Sequence, residues 1–144
     1  MPKKRSTRIT RMLGRRWQEN LFLLRTWMML GITTVALRAS NYRKVRKFFS
    51  HELGRTHWSP ESIGWAVTTA SRYVPGAKCL AQAIVAETLL LQSGFPAHIH
   101  VGVTKPGESR LRAHAWVECE GIVVVGEDEK LAELSRLHAF PPPL

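Results

Sequence analysis

Ala77-Lys-Cys-Leu-Ala-Gln-Ala-Ile-Val-Ala-Glu-Thr-Leu-Leu-Leu-Gln-Ser-Gly94 is the stretch that decides the fold. Pro75-Gly76 breaks the chain just before it, and Ser93-Gly94 closes it, with Gly94 placed as a left-handed residue after a helix. Between those stops, only Gln82, Glu87 and Thr88 interrupt a run of Leu, Ala, Ile and Val. A helix that is apolar on most sides belongs at the centre of a domain. Cys79 falls in its first turn. The positive end of the helix dipole favours a thiolate over a thiol, so this is where a sulfur nucleophile would sit. A buried structural cysteine is the alternative.

Upstream, the chain is basic. Residues 1–50 hold thirteen Lys/Arg against one acid, Glu19, whereas residues 51–144 hold eight against ten. The net charge of +10 is therefore a property of the first third, unlike that of a uniformly basic nucleic-acid-binding domain. Residues 1–14 have too few apolar side chains to pack and read as a flexible basic arm. The arm is either a solvated tail or a contact for phosphate, anionic lipid or an acidic peptide.

Residues 15–39 read as a helix carrying Trp17, Leu21, Phe22, Trp27 and Met28. Its longest uncharged run, Thr26 to Leu37, is twelve residues, short of the roughly 20 that cross a bilayer. The run starts late for a signal peptide, and no small-residue cleavage site follows. A core helix, or one docking on a partner or membrane surface, is expected. Asn41 to Phe49 reads as a short amphipathic basic helix. Ser59-Pro60-Glu61 is a helix start: a cap, a proline at the first position and an acid facing the dipole.

After Gly94 the period changes. His98 to Val103 and Leu111 to Cys119 alternate as strands around a Pro106-Gly107 loop spanning 104–110. Glu120-Gly121 is a two-residue turn into Ile122–Val125, and residues 129–137 suggest a last short helix. The fold class is α+β: one domain over 15–144, helical to 94 and a small antiparallel sheet from 95. With two cysteines, no disulfide framework is expected, and a reducing cytoplasm fits.

The turn makes a geometric prediction. Cys119 faces Ile122, Trp116 faces Val125, and His114 faces Glu127, with Cβ atoms about 5 Å apart. A bulge of one residue would put Asp128 there instead. Glu118 shares His114's face but lies roughly 13 Å along the strand at its four-residue spacing. A thiol at a helix start, a histidine on a strand and an acid on the next strand are the parts of a Cys-His-acid triad. A structural strand histidine is the alternative. Cys119 points away from His114 and reads as a core thiol. His98, His100 and His114 could gather on one face, yet no fixed-spacing metal motif is present, so no metal and no cofactor are expected.

Cys79-Leu-Ala-Gln-Ala, Gly94-Phe-Pro-Ala97, His100-Val-Gly-Val103 and Ala113-His-Ala-Trp-Val-Glu-Cys-Glu-Gly121 resemble the transglutaminase-like cysteine peptidases of lasso peptide biosynthesis, in their stand-alone B-protein form. The resemblance covers roughly residues 15–130, including the Ala66–Pro75 lead-in. It implies a papain/transglutaminase-like fold and removal of the leader from a ribosomally made precursor, after which a separate lasso cyclase closes the ring. It also implies a separate leader-recognition protein as partner; the uneven charge leaves no nucleic acid expected. The family's nucleophile falls on Cys79 and its base on His114. The third member is an aspartate in the best-known relatives. Here the strand runs Val-Val-Val-Gly-Glu127-Asp128, a departure that leaves Glu127 or Asp128 in the role. A non-catalytic basic helical adaptor for peptide, membrane or nucleic acid is the competing class. It accounts for the charge but not for the thiol, histidine and acid.

Overall fold

The computed structural model describes residues 6–51, 55–103, 113–127 and 135–140, with residues 6–13, 15, 50–51 and 135–140 in backbone only. Its elements run α1 (Ser6–Ala39), α2 (Tyr42–His51), α3 (Pro60–Ser71), α4 (Cys79–Gln92), β1 (His98–Val103), β2 (Ala113–Cys119), β3 (Ile122–Val125) and β4 (Ser135–Phe140). The α+β expectation holds.

The apolar stretch forms α4, and its end is set by backbone chemistry. Gly94 takes φ +84°, which frees the Phe95 N–H to reach the Leu90 carbonyl at 3.0 Å and its own N–H to reach Leu91 at 3.1 Å. Two carbonyls that the helix would leave open are thereby satisfied. Ala81 and every residue from Ala83 to Leu90 are buried. Each Leu, Ile or Val fully removed from water there contributes about 1.5–3 kcal/mol. The buried helical threonines and Glu87 enter this core with partners. Thr26, Thr33, Thr34 and Thr88 each donate to the carbonyl four residues back, at 2.7–2.8 Å. Glu87, 1% exposed, is gripped by both arms of the Arg46 guanidinium from α2. Burial pushes the Glu87 carboxyl up, while Arg46 pulls it back.

Helix α1 lies against α3 and α4. Phe22 stacks on Trp58 with ring centroids 4.4 Å apart, and Arg25 donates to Gln92. The helix starts at Ser6, so residues 6–14 of the segment expected to be a flexible arm are helical. Gly14 is the one breaker there, and a single glycine costs a helix only about 1 kcal/mol. Residues 1–5 lie outside the described residues.

The sheet is antiparallel throughout, in the order β3-β2-β1-β4. That is the spatial order of a Greek key. The Glu120-Gly121 turn has positive φ at both positions and sets Cys119 opposite Ile122 as expected. The register then departs from the expectation. Glu118 pairs with Val123, but Val117 pairs with Val125, so Val124 is an extra residue and the pairing slips by one. Trp116 therefore does not face Val125. A second correction concerns the last helix: Ser135–Leu137 lie in β4, which pairs with β1. The open edge of β1 supplies backbone partners that a local helical preference does not outweigh. The 104–110 loop, Leu111, Arg112 and residues 128–134 lie outside the described residues.

Candidate active site

Lys78 is the N-cap of α4, in extended backbone (φ −74°, ψ 165°), and its side chain makes no cap hydrogen bond. Cys79 is thus the first helical residue of an end to which, among the described residues, the N-cap side chain supplies no acceptor. Such an end stabilises an anion, whether a thiolate or an oxyanion. The thiol is half-buried against the core. One turn on, Gln82 donates its amide to the Ala77 carbonyl at 3.1 Å and ties the lead-in to the helix.

Helix α4 packs on β2, the strand that carries His114. The ring's Nε2 lies 2.7 Å from the Gly126 carbonyl oxygen. A carbonyl can only accept, so Nε2 holds the proton of the neutral ring and Nδ1 keeps the lone pair. The neutral ring is therefore held in the tautomer whose lone pair is on Nδ1, which among the described residues has no hydrogen-bond partner. Gly126 can approach because it has no side chain. With φ +87°, a Cβ there would meet the Ala115 carbonyl at 2.7 Å. Among the described residues no hydrogen bond joins the Cys79 thiol to the His114 ring.

Glu127, expected across the ladder from His114, is exposed, and the group on the ring is the Gly126 carbonyl instead. The cause is the slip at Val124. Asp128 lies outside the described residues.

His114 also belongs to a row of rings that the sequence reading did not assemble. Trp116, 1% exposed, lies between two imidazoles: His114 with centroids 6.4 Å away and His100 at 5.6 Å, all within 20° of parallel. Glu118 serves this row. One carboxylate oxygen accepts from the Trp116 indole at 2.9 Å, and the other lies 3.3 Å from His100 Nε2. The signal was present, since His114, Trp116 and Glu118 alternate onto one face. What was missing was the partner strand, because the loop of unknown register left His100 free to lie opposite His114. It lies opposite Trp116, and Gly102 faces His114. Cys119 is a core residue, and burial, with Glu120 and Glu61, pushes its thiol up, away from reactivity. Among the described residues no three His, Cys, Asp or Glu are grouped to hold a metal ion.

No curated protein and no solved structure matches the chain. A sequence model of the transglutaminase-like superfamily, whose members include cysteine peptidases and acyltransferases, matches residues 22–139. That span takes in α4 with its leading cysteine, β1 to β3, β4 but for its last residue, and the histidine that the Gly126 carbonyl holds, and the chain belongs to the transglutaminase-like superfamily.

Proposed function

We propose that the protein is a cysteine peptidase that removes the leader from a ribosomally synthesised lasso precursor peptide, working in the cytoplasm through an acyl-enzyme on Cys79. The observation that carries this reading is the His114 ring, held at Nε2 by Gly126 with Nδ1 left as the base, on the strand against which the cysteine helix packs. In the first step His114 takes the thiol proton and Sγ attacks the scissile carbonyl carbon. The carbonyl oxygen becomes an oxyanion at the open N-terminus of α4. The C–N bond then breaks, His114 returns the proton to the leaving nitrogen, and the core peptide departs with a free amine. Water, losing a proton to His114, attacks the thioester. The leader leaves as a carboxylic acid, and the proton goes back to sulfur.

The Gly126 carbonyl already holds the ring at Nε2, so the third member, a carboxylate, acts by stabilising the charged imidazolium rather than by taking that N–H. Glu127 is the first candidate for that role and Asp128 the alternative. The partners of this reaction are the precursor leader, a separate leader-recognition protein that presents it, and a lasso cyclase that uses the freed amine.

A leader-cleavage assay by mass spectrometry, with the precursor and its recognition protein, tests the reading. Cys79→Ala and His114→Ala each lower the rate by at least about a thousandfold. Of Asp128→Asn and Glu127→Gln, only one lowers it by more than about tenfold. An intact precursor with the wild type, or cutting by Cys79→Ala, sinks the peptidase and leaves the adaptor reading.

A further inference from the structure

The outward face of α1 is apolar where a soluble helix is usually charged. Its inner face, with Phe22, Met29 and Leu30, is buried against the rest of the chain. On the other side Trp17, Leu21, Leu24, Met28, Ile32 and Val35 follow one another three or four residues apart and are all exposed, Trp17 at 67% and Leu24 at 52%. This stripe is about 27 Å long at the helical rise. At its far end it opens into an apolar groove of about 570 Å³, walled by Trp27 and Met28 on one side and by Tyr73–Pro75 on the other. A contiguous apolar face of this kind marks an interaction surface.

Charge selects what covers it. The first 50 residues hold thirteen cations and one anion, and from Asn20 to Ser50 there is no acid. Exposed Arg16 lies at one end of the stripe and exposed Arg38 at the other. Beyond Arg38, α2 presents Arg43 and Lys44 beside an exposed Phe48. Two copies of the chain would bring like charges together along this face. A flat anionic lipid surface meets both features, because headgroups neutralise the cations while the aromatic and aliphatic side chains enter the acyl boundary.

We infer that the outer face of α1, with α2, is a docking surface for an anionic membrane, on which the helix lies parallel to the bilayer plane. By length and composition, Arg16–Ala39 could also cross a bilayer. Crossing is disfavoured because 33% of the apolar window is buried inside the protein, and insertion would strip Phe22, Met29 and Leu30 from α3 and α4. Surface docking leaves those contacts intact.

Flotation of the full chain with vesicles of phosphatidylcholine, with and without phosphatidylglycerol, is the test. Binding is expected to be at least about tenfold tighter to the anionic vesicles, and high salt is expected to release it. Leu24→Glu with Ile32→Glu lowers anionic-vesicle binding by about tenfold or more with little change in the thermal melt, since each side chain is already about half exposed. In a second readout, vesicles shift tryptophan emission to the blue, and Trp17→Phe with Trp27→Phe removes most of that shift. Equal binding to both vesicle types, or binding indifferent to the paired glutamates, overturns the proposal. Retention through a high-salt wash overturns it in favour of a span. No vesicle binding overturns it too, and a dimer that the glutamates dissociate would make the occupant a second copy.

Discussion

Helices α3 and α4 begin in opposite ways. Ser59 accepts a hydrogen bond from the Ser62 N–H, Pro60 has no N–H to satisfy, and Glu61 faces the dipole. The Glu61 backbone N–H and the Ser59 hydroxyl hold the Glu61 carboxyl below its ordinary range. At α4 a lysine occupies the cap position without capping, no acid lies in the first turn, and a thiol comes first. What α4 lacks at its start it gains along its body, through a continuous buried run and the Arg46–Glu87 pair. The difference separates a helix end whose cap side chain holds a backbone N–H from one whose cap side chain does not, which is what the proposed oxyanion site would need.

Three changes break or sharpen that contrast. The largest acts on the body of α4. Arg46→Met strands the Glu87 carboxylate in the core and costs about 3–5 kcal/mol near neutral pH by chemical denaturation. Burial already raises the Glu87 carboxyl, and removing Arg46 raises it further. The folded variant therefore binds this proton more tightly than the unfolded chain does. Its deficit is full above the raised value and shrinks as pH falls toward the ordinary carboxylate range. A deficit that does not change with pH would mean that Glu87 is not the group left stranded.

Next in size is Ser59→Ala, which removes the cap of α3 and costs about 1 kcal/mol while leaving leader cleavage unchanged. The smallest effect comes from giving α4 what α3 has. Lys78→Ser supplies a cap oxygen, raises stability by about 0.5 kcal/mol, and slows cleavage because that oxygen competes for the N–H groups an oxyanion would use. Faster or unchanged cleavage would show that the open end of α4 has no part in the reaction.

The paired outcomes of sequence and structure follow the range of each interaction. Helix α4, its glycine stop, the α3 cap and the Glu120-Gly121 turn depend on residues within one or two turns of each other, and each formed where the sequence put it. The pairing of β2 with β3 held for the pairs next to the turn and failed one step further, at Val124. In Val-Val-Val nothing local distinguishes the residue that bulges. The closure of the sheet by β4, and the choice of Trp116 as His100's neighbour, likewise rest on contacts between distant segments.

By itself the sequence determined an α+β chain with a buried central helix, a cysteine at its start and a histidine on the second strand, because periodicity, caps and turn residues act locally. Only the tertiary structure decided that the Gly126 carbonyl takes Nε2 of His114, that Trp116 and Glu118 hold a row of rings beside it, and that one side of α1 stays uncovered. Those outcomes depend on strand register and on which faces meet, and a one-residue slip between distant strands changes which groups meet without altering any local signal.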